Sequence, residues 1–369
     1  RKVMTMRALH DEAENLFVAE LLRSEAPRIG MAAAKRLLGE HPEIAKRWGP
    51  VGGRALHAWS DALSSRVNDL AAAVGAGRPE LFALQLAWAK VAFHTRGLPI
   101  DDLVRSLDAV AASCLDVVPP EDAARLRAYT QAARKSLESA SSEVPTELSI
   151  ATPHGTLAAE YLRAILEGEK RRACEHVLSA ARGMPVTEIY ERVLTPAMRE
   201  LGRMWHLGEV NVAEEHFATA TTLTAMSQLA SLAPVAPRNG RSVLAASVAG
   251  NNHEIGIRMV ADYFEFAGFR VIYLGPNTPP EDLAVAAVDF KADVVCLAAT
   301  LPTHLMTVRD TIAQIRGACP RRLFVLAGGG AFAGCDGLAT EHGADSCAST
   351  PREAVRAACS FLGLPDPAL

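Results

Sequence analysis

Two short segments concentrate the side chains of this chain that can do chemistry. The first is Gly250-Asn251-Asn252-His253-Glu254-Ile255-Gly256. A neutral imidazole is a good metal ligand, and the partner of one ring nitrogen decides whether the other is free. Asn251, two residues before His253, has a side-chain oxygen that can accept a hydrogen bond from the imidazole and orient the ring. The second segment is Trp205-His206-Leu207-Gly208-Glu209-Val210-Asn211-Val212-Ala213-Glu214-Glu215-His216. It puts one large aromatic surface, two imidazoles and several carboxylates close together. A third candidate, Gly328-Gly329-Gly330, lets a backbone pass close to a neighbour because glycine has no Cβ.

The elements around these segments follow from periodicity. After Pro234 to Gly240, short β-branched runs at 243–248, 269–274, 294–297 and 323–326 alternate with helical patterns at 254–267, 281–290, 305–317 and 352–362. A weaker fifth strand is expected at 344–348. The alternation predicts an α/β domain at 240–369 with a doubly wound parallel sheet, Rossmann-like and flavodoxin-like. Such sheets bind ligands beyond the carboxyl ends of their strands, and His253 follows the first strand. Upstream, helices are expected near 155–167, 169–182, 185–204 and 212–231, with Gly183-Met184-Pro185 between the second and third. Short loops suggest an antiparallel four-helix bundle at 150–235. Gly208 ends its third helix, and Asn211 with Glu214 forms a capping-box pattern. Glu215 and His216 then fall in the first turn of the fourth helix, facing back toward the end of the third.

Residues 3–140 carry apolar side chains at three- and four-residue steps, the pattern of an all-α domain spanning 1–145. Breaks at Pro27, Pro42, Gly49-Pro50, Gly75 to Pro79, Gly97 to Pro99 and Pro119-Pro120 give six or seven helices, a globin-like size and count. The small, polar stretch 139–153 reads as a linker. Trp48, Trp59, Trp88, His57 and His94 are scattered here and read as core or edge residues. At His94-Thr95-Arg96 a cation at a helix end either meets a ligand carboxylate or favours the helix dipole, and the dipole is the plainer reading.

The chain has 369 residues, of which 49% are hydrophobic, so a sizeable core can be buried. A formal net charge of −4 argues against general nucleic-acid binding, which needs a basic surface. Seven cysteines with no C-x-x-C spacing read as buried free thiols in a reducing compartment rather than a zinc site. No stretch approaches the roughly 20 apolar residues of a membrane helix, and the start lacks a signal-peptide core, so a soluble, cytoplasmic protein is expected. The chain opens on Arg1, from which a missing upstream segment is expected.

The His253 loop resembles that of cobalamin-binding domains of the methionine synthase type. These carry an acidic residue, any residue, His, two more and Gly, and the histidine displaces the benzimidazole tail to ligate cobalt from below. The resemblance implies that His253 is the lower cobalt ligand and that Gly256 is the family's glycine. Asn251 stands at the acidic position and cannot supply a negative charge, which implies a weaker donor. The family's Ser-x-Leu falls at Ala298-Ala299-Thr300, leaving Thr300 or Thr303 to replace the serine hydroxyl. Its Gly-Gly turn, which passes close to the buried tail, is matched by Gly328-Gly329-Gly330.

Trp205, nine residues, then Glu215-His216 resembles the motif of CarH-type cobalamin photoreceptors. In that family the tryptophan lies over the adenosyl group and the glutamate and histidine line the same cavity. The residue after the tryptophan becomes the upper cobalt ligand once light breaks the cobalt–carbon bond, and His206 holds that position. Across roughly residues 150–365 the resemblance implies adenosylcobalamin as cofactor, light sensing rather than catalysis, and a homo-oligomer whose state changes with light. CarH-type repressors begin with a winged-helix DNA-binding domain. No short basic recognition helix is found here, so neither direct nucleic-acid binding nor membrane association is expected. The helical N-terminal region is similar to that of the photocobilins, which hold biliverdin near cobalamin. The competing reading is a corrinoid carrier for methyl transfer, which shares His253 but generally lacks the Trp205, Glu215 and His216 set. A light-insensitive cobalamin or redox sensor is a third.

Overall fold

A computed structural model describes residues 6–47 and 52–367. Trp48 and the break expected at Gly49-Pro50 lie outside them. The chain divides into two compact units, Arg1–Val144 and Pro145–Leu369.

The first unit is helical: α1 (Met6–Glu40), α2 (Pro42–Arg47), α3 (Gly52–Gly75), α4 (Pro79–Thr95), α5 (Ile100–Leu115) and α6 (Ala123–Ser139). The break expected at Pro27 does not occur, and α1 runs straight through it. Val18, Leu22, Ala26, Ile29, Ala33 and Leu37 form a buried stripe along α1. Gly30 meets α3 so closely that a Cβ there would lie 2.8 Å from the Ser60 carbonyl oxygen. Pro27 sits on the exposed face, where the Arg23 carbonyl that loses its donor can be hydrated. Packing on one face therefore carries the helix past its breaker. Trp59 is buried, while Trp88 and His57 are exposed. At the end of α4, Thr95 Oγ1 donates to the Val91 carbonyl (3.1 Å) and Arg96 Nη1 to the Ala92 carbonyl (3.0 Å). Arg96 thus acts on the terminal carbonyls, as the dipole reading requires.

The second unit begins with α7 (Pro153–Leu166), α8 (Lys170–Ala180) and α9 (Val186–Ile189). A π turn at Tyr190–Leu194 leads into α10 (Thr195–Leu207), and α11 (Val212–Ala230) follows. The uninterrupted helix expected at 185–204 is thus broken by a wider turn. Pro196 supplies no N–H to the preceding turn, and the Thr195 N–H bonds the Tyr190 carbonyl instead.

A βα series completes the unit: β1 (Ser242–Val248), α12 (Ile255–Phe266), β2 (Arg270–Thr278), α13 (Pro280–Asp289), β3 (Val294–Ala298), α14 (Leu305–Ala318), β4 (Phe324–Gly328), α15 (Leu338–Glu341), β5 (Ser346–Ala348) and α16 (Pro351–Leu362). All pairings are parallel, in the order β2-β1-β3-β4-β5. The order reverses between β1 and β3, which puts the ligand-binding crevice beside the loops that follow those two strands. The expected strand at 269–274 extends to Thr278, because register shifts against β1 carry it through Gly275-Pro276-Asn277. An edge strand with bulges tolerates them.

Every residue of β1 is buried, as in a parallel sheet covered on both faces. One face shares a single hydrophobic core with the helices from α7 to α11. Within it, Tyr190 Oη donates to Asp262 Oδ2 (2.8 Å) and Arg258 Nε donates to Asp262 Oδ1 (2.8 Å). Tyr263 Oη reaches Glu191 Oε1 at 2.7 Å. The π turn is thereby tied to α12. Burial pushes the Asp262 carboxyl up, against the pull of Arg258. No described helix is long and apolar enough to cross a membrane. None of the seven cysteines is in a disulfide, but Cys347, expected to be buried, is exposed because β5 is a short edge strand.

Tyr190→Phe is expected to leave a buried carboxylate oxygen without its donor, at a cost of about 1–3 kcal/mol. Urea denaturation of the full chain checks this. A change below about 0.5 kcal/mol, the range of ordinary surface substitutions, would show that the tie contributes nothing.

Candidate functional site

The site is built first on the loop after β1. The Asn251 side chain is completely buried and its Nδ2 donates to the Ala298 carbonyl at the end of β3 (3.1 Å). That commits Asn251 Oδ1 to accepting. It receives the His253 N–H (3.3 Å) and faces His253 Nδ1 at 3.0 Å. Nδ1 therefore carries the ring proton, and Nε2 keeps its lone pair for a metal. Ser247 Oγ donates to the His253 carbonyl (2.9 Å). The Gly250 N–H donates to Asn277 Oδ1 (2.7 Å), and the Asn277 N–H returns to the Asn251 carbonyl (3.0 Å). Asn277 does this from a left-handed conformation, with φ of +52°. His304, buried in the turn after β3, accepts the Leu301 N–H at Nδ1 (3.3 Å) and hydrogen-bonds the Gly250 backbone.

Burial lowers the pKa of His253, and the Glu215 carboxylate pulls it back up. The balance remains below the ordinary histidine value, so the ring is neutral, its ligating form, at neutral pH. His304 is lowered too, by burial and then by His253. The Glu215 carboxylate on α11 is thus near enough to the loop after β1 to act electrostatically on His253.

The helical side is set by the turn between α10 and α11. Gly208 ends α10 in the left-handed conformation, at φ +77°. Asn211 Oδ1 accepts from the Ala213 N–H (2.8 Å) and the Glu214 N–H (3.1 Å), while Glu214 accepts from the Asn211 N–H (2.7 Å). The capping box read from sequence is therefore present. Trp205 is 49% exposed, so it is no core anchor, and Val212 beside the turn is also exposed. His206 is half-buried. Glu215 accepts from Thr219 Oγ1 (2.8 Å) and lies 3.7 Å from the exposed His216.

The glycines divide into two kinds. A Cβ on Gly256 would meet nothing within 4 Å, and no positive φ is involved. Gly256 is exposed, and no packing contact within the protein requires a glycine there. Gly328, Gly329 and Gly330 differ. A Cβ on Gly329 would strike the Ala299 carbonyl oxygen, and one on Gly330 would lie 2.8 Å from that of Thr300. Gly329 also has φ of +102°. A Cβ on Gly328 would lie 2.6 Å from the Ala348 carbonyl oxygen of β5, so the turn also permits close approach to β5 and to the loop after β3. Thr300 and Thr303 are half-buried in that loop.

Among the described residues, no group of three or more His, Cys, Asp or Glu could hold a metal ion. A metal at His253 therefore needs ligands that arrive with it, as in a macrocycle. Asn277, His304 and Ser247 were not legible as site residues. All three act on backbone groups of the His253 loop or its neighbours that folding brings to them.

Residues 241–358 match the family described as the B12 binding domain, and residues 157–230 match a second family of the same description. The chain is 29% identical to the HTH-type transcriptional repressor CarH of Myxococcus xanthus over 49% of this chain and 60% of that protein. It is 32% identical to the repressor CarA of the same organism over 36% of this chain and 43% of that protein. It is 28% identical to dimethylamine corrinoid protein 3 of Methanosarcina acetivorans over 55% of this chain and 95% of that protein. The chain thus spans less than two thirds of either repressor. These relatives bear the names of repressors and a corrinoid protein, not of enzymes. The matches support a cobalamin cofactor for the Pro145–Leu369 unit, with a helical part and a sheet part both of the B12-binding kind.

Proposed function

We propose that this chain is a light sensor that holds adenosylcobalamin between the helices α7 to α11 and the carboxyl edge of the sheet. The observation that carries the reading is the Asn251-oriented ring of the exposed His253, which leaves Nε2 for a ligand, together with the exposed Trp205 of the second segment. When bound, the cofactor supplies a cobalt–carbon bond that visible light breaks. His253 would hold the cobalt through Nε2. Trp205 would cover the bound cofactor, with Glu215 and His216 lining the same space. His206, next to Trp205, would offer a second imidazole to the metal. Gly256 leaves space for the macrocycle, and Thr300 and the Gly328-Gly329 turn border the path of its tail. A shift of α10 and α11 then changes the surface of a homo-oligomer, and a protein partner reads that change. Helices α1 to α6 would hold biliverdin as a second, non-covalent chromophore.

A second reading is favoured by one finding: the match to the dimethylamine corrinoid protein covers nearly all of that relative. On it, the chain carries a corrinoid for methyl transfer. The exposed tryptophan and its Glu-His pair argue for the sensor, since a methyl group needs no aromatic cover of that size.

His253→Ala is expected to abolish the histidine-ligated absorption spectrum, and Asn251→Ala to weaken cobalamin binding about 10- to 100-fold. Unchanged spectra and affinities in both would remove His253 from the metal. Trp205→Ala is expected to bind adenosylcobalamin yet lose the normal light response. His206→Ala is expected to photolyse but to give a water-ligated product with a smaller change in oligomeric state by size-exclusion chromatography. A bis-histidine spectrum in that variant would transfer the role to His216. Biliverdin titration of the full chain should produce a red-shifted band that a chain starting near residue 145 does not show, and no band in either would dismiss the second chromophore.

A further inference from the structure

Residues 145–152 have no regular secondary structure and are mostly exposed, yet they are tied to a buried carboxylate. Glu200, on α10, is only 5% exposed. Its Oε2 accepts from Thr146 Oγ1 (2.9 Å) and from the Glu147 N–H (3.3 Å). Its Oε1 accepts from Arg203 Nε (2.9 Å) and Nη2 (2.7 Å). Arg203 Nη2 also reaches Glu209 Oε2 (3.2 Å), beyond the Gly208 turn. Thr146 Oγ1 in turn accepts the Leu148 N–H (3.1 Å), and Arg199 lies 3.5 Å from Glu147. Farther along, the Ile150 carbonyl accepts from Thr156 Oγ1 (3.1 Å), and a Cβ on Gly155 would collide with the Ser149 carbonyl. Burial pushes the Glu200 carboxyl up, but the hydrogen bonds from Arg203 and Thr146 outweigh it and hold the group ionised.

This line of charge-assisted hydrogen bonds runs from Thr146 through Glu200 and Arg203 to Glu209. It flanks Trp205 and His206, which lie between Arg203 and Glu209 on the same helix end. We propose that Glu200 is a latch fastening the strap 145–152 to α10, so that a displacement of Trp205 and His206 releases the strap. The inference rests on the reading of those two residues as the upper face of the cofactor site, and it names the output of that site. The strap follows Val144, the last residue of the first unit, so its release changes the only covalent link between the units. A merely structural Glu200 would hold the strap equally in every state of the site. A latch holds it in one state, and by linkage the strap must bias the site in return.

The test is hydrogen exchange of the full chain loaded with adenosylcobalamin, in the dark and after green light, with absorbance recorded on the same samples. A hydrogen bond to a charged group is worth about a factor of ten in a local opening equilibrium. The Glu147 amide is therefore expected to exchange about tenfold faster after illumination. Glu200→Gln should show the fast rate already in the dark. Thr146→Val, an exposed change that spares the core, should do the same and flatten the response to light while the absorbance change persists. Equal exchange in dark and light, alongside an absorbance change, would overturn the latch and leave the sensor reading standing. A chain that neither binds adenosylcobalamin nor changes its spectrum would overturn both.

Discussion

The site depends on the orientation of one buried amide. Asn251 has no solvent to fall back on, so its Nδ2 must find an acceptor, and the Ala298 carbonyl is that acceptor. This choice forces Oδ1 toward His253, fixes the imidazole tautomer, and leaves Nε2 as the ligating atom. An aspartate in the same place would bring a buried charge and set its second oxygen against the Ala298 carbonyl oxygen, which cannot donate. The amide gives up electrostatic push on the ring and in return closes its hydrogen bonds internally. Because Ala298 ends β3 while Asn251 follows β1, the bond spans the switch point of the sheet, and the fold's ligand crevice is also where the ring is set.

Around this amide the loop is held from three further directions. Asn277 binds it from the bulged end of β2, His304 from the turn after β3, and Ser247 from β1. The helical side is referenced to the same point through α12, which begins just after His253. The side chains of α12 reach the π turn through Asp262 and Tyr263. Helices and sheet also share one core, so α10 and α11 are held against the sheet by packing and by this polar tie together. A π turn makes a sensible junction there, since it already interrupts the regular ladder and gives the helix one place where its two halves can differ.

The sequence was informative where side-chain period decides the outcome. The βα alternation, the capping box at Asn211 and Glu214, and the pairing of His253 with Asn251 are local patterns, and each is found. It misled where a local breaker meets strong packing. Pro27 does not end α1 because its face is solvent-exposed while Gly30 on the other face is pressed against α3. β2 also runs past its expected end at residue 274, through Gly275-Pro276-Asn277, because an edge strand can bulge. At the glycine turn Gly328 to Gly330 the sequence shows that backbone must pass closely, and only the folded chain shows that the Ala299 and Ala348 carbonyls are among the neighbours. Asn277 and His304 act through backbone atoms far away in sequence, and no spacing rule reports that. The role of Glu200 was equally silent, being one carboxylate among many on an amphipathic helix.

The central claim is that a cobalamin sits between Trp205 and His253 and is altered by light. It is tested most directly by the absorption spectrum of the full chain loaded with adenosylcobalamin, recorded in darkness and again after green illumination. The account predicts a dark spectrum of an alkylated, histidine-ligated cobalamin that converts on illumination to that of a cobalamin without its adenosyl group, held by the protein. A dark complex whose spectrum does not change under green light, or a chain that retains no cobalamin at all, would contradict it.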